Sequence, residues 1–127
     1  MTEELTIILP LPKKVLSPNA PSYTIGGRYA KAAATKKYRR IAKEAVEAEQ
    51  IDTAPWAKVL VEVTFFHKTN HRRDPDNSTG SIKAVYDGIV DSGLVPDDDK
   101  KHMRRQEPDY LVDKESPRVE LTITRLK

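Results

Sequence analysis

The stretch RRDPDNSTGSIKAVYDGIVDSGLVPDDDK, from Arg72 to Lys100, places an apolar, helix-like segment between two clusters of aspartate. Its apolar residues recur at intervals of three and four, which is the period of a helix with one buried face. Ser92 and Gly93 follow the last of them, and glycine in this position commonly ends a helix. We therefore predict an amphipathic helix and, after it, an acidic turn from Leu94 to Lys101. The predicted buried residues are Ile82, Val85, Tyr86, Ile89 and Val90.

A first helix is predicted upstream, between about Tyr29 and Gln50. Apolar residues there also repeat at three and four, and would form one buried stripe. The opposite side is basic and could lie along a phosphate backbone, although a charged helix face is usually just solvated. The predicted stripe is Ala34, Tyr38, Ile41, Ala45 and Ala48, and the basic face is Lys36, Arg39, Arg40 and Lys43.

Four segments are predicted to be strands. Apolar and polar residues alternate from Val59 to Phe66, which indicates a strand, and we expect it to be central. The same alternation indicates a final strand within Val119 to Leu126, and one further strand is expected somewhere in His102 to Val112. The short apolar run Leu5 to Leu9 is the fourth. Prolines and glycines after it predict irregular chain from Pro10 to Arg28.

These elements and the composition predict the fold class and the type of protein. A chain of 127 residues is long enough for one domain with one core. We expect an α+β fold, a small mixed β-sheet packed against two main helices, in a single two-layer domain spanning residues 1–127.

The net charge of +3 is modest, so any affinity for DNA would depend on where the charges lie. The absence of cysteine excludes disulfides and thiolate metal sites. Without signal-peptide features or a membrane-length apolar run, we expect a soluble cytoplasmic protein.

The segment Asp74-Pro75-Asp76 predicts half of a divalent-metal site. Proline biases the residue before it towards extended geometry, and residues two apart in an extended chain point the same way. Asp74 and Asp76 would therefore present carboxylates on one side. Oxygen ligands suit Mg²⁺ or Mn²⁺. The run Asp97 to Asp99 supplies candidates to complete the site, because the glycine turn could bring the chain back along the sheet.

The start of the predicted helix favours a phosphate beside that metal site. Asn77 or Ser78 can cap the helix, whose N-terminal amides attract anions. Lys83 follows one or two turns later at the edge of the apolar stripe. There it could stabilise the extra negative charge of a phosphoryl-transfer transition state, while metal ions activate water.

Structural interpretations of the same residues stay open. Asp74 to Asn77 is also a good turn sequence. Lys83 and Asp87 stand four apart and could form an exposed ion pair, and the acidic run after the helix could be a solvated loop. Trp56 could stack on an unpaired base, but a core or rim position is favoured.

Three other kinds of site are excluded. A calcium loop starting at Asp74 would have Thr79 where glycine is required and Val85 where the last glutamate belongs. The three histidines have no zinc spacing. No nucleophile elbow of a serine or cysteine hydrolase is present.

Several motifs follow one another through the central third of the chain. Arg72 to Asn77 comes first, Lys83 then heads a helix that contains Asp87-Gly88, and Gly93-Leu94 and Asp97-Asp98 follow. In their order and spacing these motifs resemble the RusA family of Holliday junction resolvases, which is common in prophages and bacteriophages. The match is looser through the proline-rich start, the first helix and the final strand.

The resemblance implies a homodimeric, Mg²⁺-dependent endodeoxyribonuclease that resolves four-way DNA junctions by symmetric paired nicking. It implies roles in recombination and repair in a bacterial or phage-infected cell. The implied catalytic residues are Asp74, Asp76, Lys83 and Asp98, with the three acids as metal ligands. Lys83 stands seven residues after Asp76, against four in the best-known members, whereas the fifteen residues from Lys83 to Asp98 fit.

Branched DNA would be held by Arg72, Arg73 and the basic helix face. The N-terminal strand and the exposed side of the Val59 strand are the surfaces considered for the dimer contact. Two other functions fit the same residues. One is a non-catalytic branched-DNA-binding protein whose acidic turn is structural, and the other is a metal-dependent nuclease acting on flaps, replication forks or RNA.

Overall fold

The computed structural model describes residues 3–12, 25–69 and 79–126, and within these ranges it confirms the α+β fold class. A mixed five-stranded sheet packs against two helices. Neither helix in this part of the chain is both long and apolar enough to cross a membrane. The elements in chain order are β1 (Glu4–Leu9), α1 (Ile25–Glu47), β2 (Val59–His67), α2 (Thr79–Asp91), β3 (Met103–Arg105), β4 (Asp109–Val112) and β5 (Arg118–Arg125).

The sheet is built around β2, as predicted for the Val59 strand. β5 pairs with it antiparallel on one side, and β3 and β4 pair with it parallel on the other. β1 pairs antiparallel with β5 and is the outer strand on that side. The helix α2 lies between β2 and β3 in the chain, so it forms the crossover that parallel neighbours require.

The core lies on one face of the sheet, where both helices pack. Strand register places the buried side chains in rows, so that Val63 lies opposite Leu121, which in turn lies opposite Ile7. Residues between them point to the other face and are more exposed, because side chains alternate along a strand. The buried strand residues are Leu5, Ile7 and Leu9 in β1, Val59, Val61, Val63 and Phe65 in β2, and Val119, Leu121 and Ile123 in β5.

The two helices approach most closely where Gly88 of α2 lies against Ala42 of α1. A Cβ placed on Gly88 would lie 2.8 Å from the Ala42 Cβ and would also meet the main-chain carbonyl of Arg39. The glycine therefore sets the spacing of the helices. At the end of α2, Gly93 has φ 86°, in the left-handed region that favours glycine, and it ends the helix as predicted.

Trp56 belongs to the core. Its side chain is 1% exposed. Its indole Nε1 donates a hydrogen bond to Thr53 Oγ1 at 2.8 Å. The core position favoured from the sequence is therefore confirmed, and the ring face is not presented to a base in this structure.

The first helix is present, but its ends differ from the predicted ones by three or four residues. α1 begins at Ile25, not Tyr29, because glycines that were interpreted as breakers lie inside its first turn. It ends at Glu47 rather than Gln50, which has φ 51° and turns the chain. The buried stripe differs too, since Ala48 is exposed and the fully buried positions are Tyr38, Ala42 and Val46. Of the predicted irregular segment, residues 13–24 lie outside the described ranges.

The single strand predicted in His102 to Val112 is in fact two, β3 and β4. Both pair with β2, one after the other, along its nine residues. Pro108 lies between them, and proline has no N–H to donate to a sheet. The segment that pairs with this edge of β2 is therefore divided into the two short strands β3 and β4.

Candidate functional site

Lys83 and Asp98, predicted to act together, are in direct contact. Lys83 projects from α2, and its Nζ lies 2.7 Å from Asp98 Oδ2 in the turn that follows the helix. Gly93 reverses the chain after α2, and the acidic turn then runs back beside the helix. This local geometry brings together two groups that stand fifteen residues apart.

A second carboxylate binds the same ammonium. Asp87 Oδ1 lies 3.1 Å from Lys83 Nζ, so the ion pair considered as a structural interpretation is also formed. The lysine side chain is 60% exposed, whereas the side chains of Asp87 and Asp98 are 27% and 21% exposed. Lys83 therefore bridges two partly buried carboxylates while its own end remains open to solvent.

These contacts favour the charged forms of both side chains. The hydrogen bond from Lys83 holds the pKa of the Asp98 carboxyl below its usual range, against a smaller opposing effect of burial. Hydrogen bonds to Asp98 and then to Asp87 raise the pKa of the Lys83 ammonium. At neutral pH the carboxylate and the ammonium are both charged, as a metal ligand and a phosphate-binding lysine would need to be.

Arg105, the last residue of β3, also contacts Asp98, and the sequence did not indicate this. It donates a hydrogen bond to the main-chain carbonyl of Asp98, and its Nη2 lies 3.8 Å from Asp98 Oδ2. Its guanidinium also lies over the Tyr86 ring, 4.7 Å from the centroid. Arg105 thus fixes the acidic turn to α2. Only the register, which pairs Arg105 with Val61 on the core face, distinguishes it from its neighbour Arg104.

The flanking aspartates shape the turn. Asp97 Oδ1 accepts a hydrogen bond from the Asp98 main-chain N at 2.7 Å. Asp99 Oδ1 accepts one from the His102 main-chain N at 3.2 Å and lies 2.6 Å from His102 Nδ1. Of the three, Asp98 is the one whose carboxylate faces Lys83.

The structure describes only part of the predicted metal site. Asp74, Asp76, Arg72 and Arg73 lie outside the described ranges. Among residues 3–12, 25–69 and 79–126, no three histidine, cysteine, aspartate or glutamate side chains are grouped so that they could hold a metal ion. The Asp98 carboxylate is nevertheless a suitable ligand for Mg²⁺, which prefers oxygen ligands. No described residue donates a hydrogen bond to its Oδ1, so this oxygen is available for a metal ion.

The basic face of α1 lines a broad surface groove with a volume of about 1030 Å³. The four residues of the predicted basic helix face all border it, and three further basic residues of the same helix join them. Among the described residues that line the groove, Asp91 is the one acid. The basic residues are Arg28, Lys31, Lys36, Lys37, Arg39, Arg40 and Lys43.

Arg39 differs from the rest of this face because it joins the two helices. Its Nε and Nη2 donate hydrogen bonds of 2.5 and 2.8 Å to the two carboxylate oxygens of Asp91. Its Nη1 lies 3.9 Å from Asp87 Oδ2. The bidentate contact lowers the pKa of Asp91 and raises that of Arg39. Much of the Arg39 charge is therefore offset within the protein.

No protein-family model and no curated protein matches this chain. The resemblance to the RusA family is accordingly a prediction from the motifs, and the function has to be inferred from the geometry of the site.

Proposed function

We propose that the protein is a Mg²⁺-dependent endodeoxyribonuclease that hydrolyses phosphodiester bonds in branched DNA, above all in four-way junctions. Mn²⁺ would be a possible substitute for Mg²⁺. The observation that carries the proposal is the contact between Lys83 and Asp98, 2.7 Å long and at the protein surface. A carboxylate that could bind a cation and an ammonium that could bind a phosphate are thereby held side by side.

Asp98, with Asp74 and Asp76, would supply the oxygen ligands for the metal ion. The ion would lower the pKa of a bound water and neutralise charge on the phosphate. Lys83 would stabilise the negative charge that develops on the phosphate oxygens in the transition state. An ammonium has three donors, and two are directed at Asp87 and Asp98, so one remains for a phosphate oxygen.

The groove along α1 would hold the DNA backbone, together with Arg72 and Arg73. This groove and the site are neighbouring surfaces, because Asp91 at the groove and Asp87 beside Lys83 are one helical turn apart on α2. A backbone lying on the basic face would therefore run close to Lys83.

A two-fold homodimer would suit the proposed substrate, since a four-way junction has two equivalent strands to cut and a dimer has two identical sites. The outer edge of β1 and the exposed face of β2 are the candidate contact surfaces. Ile8 on β1 is 62% exposed, which is high for a large apolar side chain.

Cleavage of a substrate panel tests the proposal. Labelled four-way junctions, flaps, replication forks, linear duplexes and RNA would be incubated with the purified protein and Mg²⁺. Paired nicks in the four-way junction are expected, and preferential cutting of another substrate would replace the resolvase by a different nuclease. Asp76→Asn should abolish cleavage and leave junction binding intact. Cutting by that variant at the wild-type rate would rule out the proposed metal site.

A non-catalytic branched-DNA-binding protein is the second candidate. It is favoured by the ion pairing at Lys83, because two protein carboxylates offset the charge of the ammonium without a metal ion. This alternative predicts junction binding that does not respond to Mg²⁺ and no nicking of any substrate in the panel.

A further inference from the structure

Asp87 and Asp98 share one ammonium but have different surroundings. Asp98 lies in the turn after α2 and holds Lys83 Nζ at 2.7 Å, while Asp87 lies on the same helix as Lys83 and holds it at 3.1 Å. Under the proposed function, Asp98 is a metal ligand and Asp87 is not. Binding of a divalent cation would therefore affect the two contacts with Lys83 differently.

Binding of a divalent cation by Asp98 would weaken the contact between Lys83 and Asp98. A carboxylate that ligates a divalent cation shares its charge with that cation, and the cation repels a nearby ammonium. Lys83 ends a flexible four-carbon stem and is 60% exposed, so without another partner it would move into solvent. An ammonium that is free in solvent is poorly placed to bind a reacting phosphate.

Asp87 is held in place independently of the turn. Arg39 approaches its Oδ2 at 3.9 Å and is itself fixed by two hydrogen bonds to Asp91. The next residue in the chain is Gly88, which packs closely against Ala42 where the helices meet. The backbone that carries the Asp87 carboxylate is thus part of the close contact between α1 and α2.

We infer that Asp87 is a positioning residue that keeps Lys83 beside the reacting phosphate when Asp98 is engaged by a divalent cation. The inference rests on the proposed function. It gives a functional role to a carboxylate that would otherwise be interpreted as one half of an exposed ion pair. Asp87 acts through Lys83 and touches neither metal nor substrate.

The mobility of the Lys83 side chain tests this role without relying on activity. NMR relaxation of the lysine ε-CH₂ groups would be measured with and without Mg²⁺, and Lys83→Arg would assign the signal. In the wild type, Lys83 should be restricted in both states. In Asp87→Asn it should be restricted without Mg²⁺, because Asp98 still holds it, and mobile once Mg²⁺ is added.

Two further variants separate positioning from a general effect on the helices. Asp91→Asn removes the other carboxylate bound by Arg39, one turn along α2, but does not contact Lys83. It should leave Lys83 restricted in both states, because the Asp87 carboxylate that contacts Lys83 and the helix contact at Gly88 both remain. Asp87→Glu keeps the charge and should restore restriction in the presence of Mg²⁺.

Steady-state cleavage of a four-way junction supplies a second measurement. Asp87→Asn should lower kcat about 10- to 100-fold, the usual effect of losing a residue that orients a group at a metal site, with little change in KM. Asp87→Glu should recover part of the loss. A change confined to KM would overturn the positioning role.

The results distinguish failure of this inference from failure of the proposed function. If Mg²⁺ shifts the Asp98 signals but Lys83 stays as restricted in Asp87→Asn as in the wild type, only the role of Asp87 is wrong. If Mg²⁺ leaves the Asp98 signals unchanged in the wild type, the metal site itself is wrong and the inference fails with it.

Discussion

Arg39 binds both carboxylate oxygens of Asp91, at 2.5 and 2.8 Å, and so joins α1 to α2 at the edge of the basic groove. The contact lowers the pKa of Asp91 in the folded protein. A carboxyl with a lowered pKa stabilises the fold above its unfolded pKa of about 3.9, and this contribution is lost as pH falls through the folded pKa.

Asp91→Asn should therefore lower the free energy of unfolding at pH 7 by up to about 1 kcal/mol, since the pair is partly exposed. Below the folded pKa of Asp91 the variant and the wild type should be equally stable. Urea denaturation across this pH range measures the difference. Asp52→Asn, at an exposed position with no ion pair to a described residue, is the control. A loss that is independent of pH would mean that the charge of Asp91 does not stabilise the fold.

Gly88→Ala should destabilise the protein by about 1–3 kcal/mol, the usual cost of overpacking a tight contact. The new Cβ would lie 2.8 Å from the Ala42 Cβ, so the helices would have to separate. Gly26→Ala is the matched control in α1, because its Cβ would meet nothing within 4 Å. It should leave stability unchanged or raise it by up to about 1 kcal/mol. Equal effects of the two substitutions in urea denaturation would contradict the close helix contact.

Lys36→Gln should weaken binding to a four-way junction and reduce its dependence on salt. Each phosphate contact contributes about −0.9 to the slope of log K against log salt for duplex DNA, so losing one contact should reduce the steepness by about that amount. Fluorescence anisotropy over a salt series gives both quantities. Lys114→Gln, an exposed lysine outside the groove, should behave as the wild type. If both variants lose the same affinity, the groove is not the binding surface.

The fluorescence of Trp56 should not respond to DNA. It is the only tryptophan, is 1% exposed and donates its indole N–H to Thr53. Its emission should be blue-shifted and resistant to iodide quenching, and saturating single-stranded DNA should leave it unchanged. Strong quenching by DNA would instead favour the base-stacking interpretation.

The elements with the clearest periodicity were predictable from sequence. The alternation from Val59 to Phe66 correctly indicated the central strand. The spacing of apolar residues and the glycine at position 93 correctly indicated α2 and the turn that follows it. The start of α1 was not predictable in the same way, because its glycines have low helix propensity and are accommodated only in the folded chain. The division between β3 and β4 depends on pairing with β2, which no local pattern contains.

The candidate site shows the same limit. Lys83 and Asp98 could be paired in advance because a helix and a glycine turn are local structures. The contacts of Arg39 and Arg105 could not, since the first requires the crossing of two helices at Gly88 and the second requires the register of β3 on β2. Residues that meet through tertiary packing were therefore the ones that sequence reasoning missed.

The pairing of β1 with β5 also has a consequence for synthesis on the ribosome. Glu4 lies opposite Thr124, and the Arg125 main-chain N donates a 2.8 Å hydrogen bond to the Glu3 carbonyl. Among the described strands, β1 is synthesised before its pairing partner β5, so its backbone stays unpaired until β5 has been made. Until β5 emerges, the apolar side of β1 and one edge of β2 are open to chaperones or to other nascent chains, and the sheet can close only after about 120 further residues have been translated.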